Sequence, residues 1–263
     1  SNVYYYSLAN EMGVDLMHDQ LLPFGLGRKT DIDLDGEVTG LLPSTAWKKR
    51  TYKRPEQQKW YAGETISLGI GQGYNNFTML QLASATATLV AGGKRFEPRL
   101  VREIRNVVSQ QATPVAGQAL APLALKPEHV ALVMNAMHGV TQEGTSTRIF
   151  AGAPYKTGGK TGTAEKVING VYARKRLFTS FAAVFPTDGP LDAPRYLVLV
   201  LLDEPKATAA SSGNAQAAWN AGPTAGRVVN RIAPLLNVKR DLTQIAVRPI
   251  DKPLVEDVST DAQ

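Results

Sequence analysis

Gly159-Lys160-Thr161-Gly162-Thr163-Ala164-Glu165-Lys166 is the stretch on which the reading of this 263-residue chain turns. It lies in a strand-like run from Tyr155 to Ile168, closed by the turn pair Asn169-Gly170. Gly-Lys-Thr also ends the phosphate-binding loop, but that loop needs a glycine five residues before Gly159, where Pro154 stands. It also leads into a helix, whereas here the text continues as strand. As a strand, the stretch places Lys160 and Gly162 on one face and Thr161 and Thr163 on the other. The tripeptide alone carries little, since Lys156-Thr157-Gly158 stands just before it.

Beyond Gly152, Leu177–Phe185 and Arg195–Leu202 read as two more strands, the first followed by the turn Asp188-Gly189-Pro190. The text before Gly152 is mostly helical. Residues 3–22 carry apolar side chains at Tyr5, Leu8, Met12 and Leu16, until Pro23, Gly25 and Gly27 end the helix. Thr78 is placed to cap a helix from Met79 to Val90, which Gly92-Gly93 closes. Pro127 opens another helix, with Val130, Val133, Met134 and Met137 on one face. A last helix is expected over Thr224–Leu236. Residues 30–43 suggest a short strand and loop, residues 44–77 look irregular, residues 94–105 look extended, and residues 106–125 read as a surface excursion. Helices first, then an antiparallel meander closed by a helix, make an α+β architecture.

Composition narrows the function classes. No apolar run is long enough to span a membrane, and the longest, Tyr196–Leu202, is strand-sized. Lys and Arg outnumber Asp and Glu by 29 to 23, and the densest basic run is Trp47-Lys48-Lys49-Arg50-Thr51-Tyr52-Lys53-Arg54. That run reads as a solvated loop; no zinc-finger spacing or RNA-binding motif accompanies it, so no nucleic-acid partner is expected. Without cysteine there is no disulfide, thiolate site or cysteine nucleophile. His18, His129 and His138 are scattered and read as helix-surface or core residues, so neither a metal nor a cofactor is expected. The first residue is not methionine, and the chain opens in what reads as mid-element, as a fragment would.

Lys160-Thr161-Gly162, continued by Thr163-Ala164-Glu165-Lys166, resembles the substrate strand of the penicillin-recognising serine acyltransferases, which include serine β-lactamases and D,D-peptidases. Phe24-Gly25-Leu26-Gly27, Gly69-Ile70-Gly71-Gln72-Gly73-Tyr74 and Gly144-Thr145 stand in the same order as in class B penicillin-binding proteins. The resemblance covers nearly the whole chain. Residues 1–160, notably Trp47-Lys48-Lys49-Arg50 and Trp60-Tyr61-Ala62-Gly63-Glu64-Thr65-Ile66, look like the cell-elongation type. Leu202-Asp203-Glu204-Pro205 and Trp219-Asn220-Ala221-Gly222-Pro223 look like the division type.

The resemblance implies an antiparallel sheet flanked by helices, the penicillin-binding/β-lactamase-like transpeptidase fold, incomplete at its N-terminus. Residues 1–240 would be the C-terminal part of that domain and residues 241–263 a loose tail. It implies catalytic roles for Lys160, Asn2 and Thr163, and substrate contacts from Thr161, Gly162 and Thr163. Asn2 is similar to the last residue of the family's Ser-x-Asn motif and Ser1 to its middle one. No serine in the chain is followed three residues later by lysine, so the family's Ser-x-x-Lys nucleophile is missing from it. The implied parent is a serine D,D-transpeptidase that cross-links peptidoglycan stem peptides ending in D-Ala-D-Ala. It would be a target of β-lactams, working with a membrane glycosyltransferase at the periplasmic face of the inner membrane, anchored by a helix not present here. A β-lactamase or β-lactam sensor, and a non-catalytic peptide-binding module, are the alternatives.

Overall fold

The computed structural model describes residues 2–168 and 170–241. At its centre, strands β5 (Gly158–Ile168), β6 (Val171–Phe185) and β7 (Tyr196–Asp203) form one antiparallel sheet in that order. Its first strand begins three residues later than expected: the ladder starts at Gly158, and just before it the Thr157 carbonyl accepts from the Thr141 hydroxyl. β6 in turn runs longer than the expected Leu177–Phe185, starting straight after the turn.

Alternation along β6 supplies both faces of the core. Phe181, Ala183 and Phe185 point to one side, where they pack with Ala221, Ala225 and Val229 of helix α8 (Ala221–Ile232). Val184 points to the other, against Val90 of α5 (Met79–Val90) and Val130, Met134 and Met137 of α6 (Pro127–Gln142). Small residues let α8 lie close: a Cβ on Gly222 would stand 2.5 Å from Ile149 Cδ1, in the short helix α7 (Thr147–Phe150). Helices therefore cover both faces of the sheet, as the α+β reading requires.

Helix α5 matches its expected bounds, with Thr78 Oγ1 accepting from the Gln81 N–H at 3.1 Å. Helix α1 spans Asn2–Leu21 with non-helical backbone at Gly13. It lies along α4 (Ala62–Gly69), where a Cβ on Gly69 would stand 2.6 Å from Ala9 Cβ.

The structure corrects several expectations. Residues 44–77 are not irregular but hold α2 (Thr45–Thr51), α3 (Pro55–Gln58) and α4. These helices are short, so their end contacts matter more than periodicity: Ser44 Oγ accepts from Trp47 N–H at 3.0 Å, Pro55 opens α3, and Glu64 Oε2 accepts from Tyr61 N–H at 2.9 Å. Residues 47–51 of the basic run lie in α2 rather than in a loop; Lys49, Arg50, Lys53 and Arg54 are solvated as expected, but Lys48 is only 3% exposed. Its ammonium pairs with Glu64 and donates to the Lys59 carbonyl at 2.8 Å, which offsets the cost of burying the charge. No strand forms over residues 30–43; there is one bridge, Leu41 to Asn76, and a loop closed by Glu37 on Thr30 and Asp31. The last helix starts at Ala221 rather than Thr224, where Asn220 Oδ1 accepts from Ala221 N–H at 2.6 Å, and it ends at Ile232, ahead of Pro234.

Residues 94–120 form two small arms. β1 (Arg95–Phe96) pairs with β4 (Ala119–Leu120), and β2 (Glu103–Arg105) pairs with β3 (Ala112–Pro114). Of the expected tail, residues 242–263 lie outside the described residues, as do Ser1 and Asn169. Asp241 is anchored, its N–H donating to the Pro154 carbonyl at 2.7 Å.

Candidate active site

β5 is one of the two outer strands of its sheet among the described residues, and Lys160, Gly162 and Thr163 lie along it. Lys160 is opposite Ala182 and Gly162 opposite Ser180, on the face that Val184 shares further along. The Lys160 ammonium is exposed and donates to the carbonyl of Thr161 at 2.6 Å. A Cβ on Gly162 would stand 2.5 Å from Ser180 Oγ, so a side chain there would require the Ser180 hydroxyl to turn away.

Thr161 and Thr163 lie on the α8 face, opposite Phe181 and Thr179. Thr163 Oγ1 accepts from the Ala217 N–H at 3.2 Å, and Thr179 Oγ1 donates to Asn220 Oδ1 at 2.7 Å. The two hydroxyls thus suspend the 3₁₀ turn Ala217–Trp219 and the start of α8 from the sheet. Neither tie is visible in the text, because Ala217 contributes only a backbone group and stands 54 residues from Thr163.

The two Lys-Thr-Gly copies have different surroundings. Lys156 precedes the strand and is ion-paired with Asp241 at 3.6 Å. Thr157 is 1% exposed and its carbonyl accepts from the Thr141 hydroxyl, while Gly158 lies against the α6 backbone at His138. Only the second copy stands on the outer strand with its lysine free of a carboxylate among the described residues. Asn2, at the exposed start of α1, makes no hydrogen bond to this strand among the described residues, so the structure does not join it to Lys160.

Past Thr163 the ladder shifts between Glu165 and Lys166, and β6 takes up three residues, 174–176, without partners on β5. An ion cluster holds that irregularity. Lys166 Nζ lies 2.6 Å from Asp203 and 2.7 Å from Glu204, and Arg176 Nη2 lies 2.6 Å from Glu204. Arg176 first, and Lys166 second, hold the Glu204 carboxyl down at about 2. The carboxylates of Asp203 and then Glu204 raise Lys166. One contact point therefore ties all three strands a few residues beyond the lysine.

The hairpin tip also meets the helical half of the chain. Gly73 N–H donates to the Tyr172 hydroxyl at 3.3 Å. Gly71 and Gly73 both have positive φ, which permits that tight loop. Behind it, Tyr74 donates to Glu64 Oε1 at 2.8 Å, and Trp60, Tyr61 and Tyr74 surround the Lys48 ammonium at 5.2–5.7 Å. Burial, opposed and outweighed by Lys48, the Tyr61 N–H and Tyr74, leaves the Glu64 carboxyl lowered, while burial and then Glu64 raise the Tyr74 phenol.

Comparison with known proteins gives concordant matches. The family described as "Penicillin binding protein transpeptidase domain" matches residues 1–222. The chain is 34% identical over 241 residues to peptidoglycan D,D-transpeptidase MrdA of Haemophilus influenzae, covering 88% of this chain and 34% of that protein. It is 35% identical over 253 residues to the probable peptidoglycan D,D-transpeptidase FtsI of Caulobacter vibrioides, covering 95% of this chain and 39% of that one. Among solved structures, penicillin-binding protein 3 of Mycobacterium tuberculosis complexed with ampicillin aligns with a TM-score of 0.71 at 25% identity, covering 97% of this chain and 52% of that one. The chain spans between a third and two fifths of the length of these two curated relatives.

Proposed function

The chain belongs to the penicillin-binding protein transpeptidase domain family, and on that premise we propose that it is the substrate-strand half of a peptidoglycan D,D-transpeptidase, acting on stem peptides that end in D-Ala-D-Ala. The observation that carries the reading is the outer position of β5, with an exposed Lys160, a side-chain-free Gly162 and Thr163 in succession. A peptide can add to such a strand as one more β-partner, and Gly162 leaves its backbone room to approach. Lys160 supplies positive charge for the terminal carboxylate and supports proton transfer. The Thr163 N–H is the proposed donor to the oxyanion formed when a serine attacks the D-Ala-D-Ala carbonyl, a contribution of about 3–4 kcal/mol to barrier lowering. Thr161 and Gly162 line the peptide's path, and Asn2 approaches once the segment carrying the serine is in place.

In the reaction, the serine's oxygen bonds to the penultimate D-alanine carbonyl and the terminal D-alanine leaves with the proton. The amine of a second stem peptide then displaces the serine. No Ser-x-x-Lys occurs in these 263 residues, so the serine comes from elsewhere in the parent. β-Lactams would compete at the same strand. The parent is proposed to work at the periplasmic face of the inner membrane beside a membrane glycosyltransferase. Among the described residues no helix is long and apolar enough to cross a membrane. Identity to the elongation-type and division-type relatives differs by a single percentage point, in keeping with the mixed character of the sequence.

Intact-mass measurement after incubation with penicillin tests the proposal. The full-length parent should gain one penicilloyl group on a serine outside this chain, and the isolated chain none. An unmodified parent, or a stoichiometric adduct on a serine of the isolated chain, contradicts the reading.

A further inference from the structure

A cavity of about 420 Å³ lies between α7, α8 and the 3₁₀ turn Ala217–Trp219. Ile149 and Trp219 give it apolar walls, while Thr145, Arg148, Arg227 and Asn230 bring polar groups. Among the described residues no Asp or Glu lines it. Neither arginine has a carboxylate partner among the described residues. The Arg148 guanidinium carbon sits 5.0 Å from the centroid of the Trp219 ring, and Arg227 donates to Thr224 Oγ1 at 3.1 Å.

We propose that this cavity binds a carboxylate carried on a short aliphatic arm, as on an acidic residue of a peptide. A guanidinium held over an indole keeps its in-plane N–H groups free and oriented, and that fork matches a carboxylate in two parallel hydrogen bonds. A second uncompensated guanidinium in the same lining raises the local preference for a negative charge. Free phosphate would satisfy the arginines but leave the Ile149 and Trp219 walls unfilled, whereas methylene groups beside a carboxylate would cover them. The volume falls within the usual range for a small-ligand site, roughly 300–1,000 Å³.

The cavity is joined to the substrate strand. Trp219 ends the turn whose first residue, Ala217, donates its N–H to Thr163. A peptide held at Trp219 therefore rests on the element that hangs from β5. The site rests on the transpeptidase reading only for the source of the peptide, a cell-wall stem; the arginines call for a carboxylate in any case.

The test uses the full-length parent with its cleft blocked by penicillin, so that binding at the Lys160 strand does not contribute. The probe is L-alanyl-γ-D-glutamyl-L-lysine amide, compared by calorimetry with the same peptide amidated at the glutamyl α-carboxylate. The acid form should bind saturably and at least about tenfold more tightly than the amidated form. Arg148→Gln and Arg227→Gln should each weaken the acid form by at least about tenfold while melting at the wild-type temperature. Equal affinity for the two peptides, binding unchanged in both variants, or no binding of the acid form overturns the proposal. The comparison of peptides needs no variant, so it decides the matter even if a substitution impairs folding. Failure of penicillin to acylate the parent would instead count against the transpeptidase reading, and the same titration on unblocked protein would still decide the cavity.

Discussion

Gly162 on β5 and Ser180 on β6 are ladder partners, and the Ser180 hydroxyl occupies the space a Gly162 side chain would need. Gly162→Ala should therefore force the Ser180 hydroxyl aside and destabilise the parent by about 0.5–1.5 kcal/mol, the cost of moving a side chain off its rotamer. Adding Ser180→Ala removes the oxygen in conflict and should restore the melting temperature, while acylation stays slow because the methyl group still obstructs the peptide's approach. Restored acylation in the double variant would show that Gly162 serves packing alone.

The Glu204 cluster makes a pH prediction. Its carboxyl, held at about 2 against an ordinary 4.5, stabilises the folded chain fully above the ordinary value and loses that contribution as pH falls from 4.5 toward 2. Glu204→Gln should lower the melting temperature at neutral pH and leave it little changed near the bottom of that window. Parallel acid melting curves for the two proteins would show that the ion cluster adds nothing to stability.

The isolated 263-residue chain should be marginally stable and prone to aggregate. β7 carries the run Tyr196–Leu202, yet it is an outer strand among the described residues, with Leu201 36% exposed. Such an edge is open to pairing with another chain. Covering one aliphatic side chain contributes about 1.5–3 kcal/mol, against about 5–15 for a whole domain, so a few uncovered side chains weigh heavily. Slow, cooperative hydrogen exchange over Lys160–Ile168 in the isolated chain would refute this.

The parts legible in the sequence were those set by local rules. Thr78 and Gly92-Gly93 bracket α5, and alternation separates Lys160 from Thr161 and Thr163. Elements set by distant contacts were not legible. Helix α2 spans only seven residues, and its Lys48 looks like one of a solvated basic run until Glu64 and the rings around it are in place. Counted straight from the turn, the hairpin would set Leu177 opposite Gly162. The three residues taken up on β6 put Ser180 there instead, and because the shift is odd it also exchanges the faces. The Thr163–Ala217 tie and the Arg148–Trp219 pair join residues far apart in the chain, with no pattern to announce them.

The most direct test of the central claim, that the β5 copy of Lys-Thr-Gly serves the substrate, compares two variants of the full-length parent. Rates of acylation by a fluorescent penicillin would be measured for Lys160→Ala and Lys156→Ala. Lys160 is exposed on the outer strand, whereas Lys156 is tied to Asp241 ahead of it. Lys160→Ala should slow acylation by about 10²–10⁴-fold, the range for losing a group that aids proton transfer, and Lys156→Ala should stay near the wild-type rate. Equal rates for the two variants, or a larger loss at Lys156, would contradict the account.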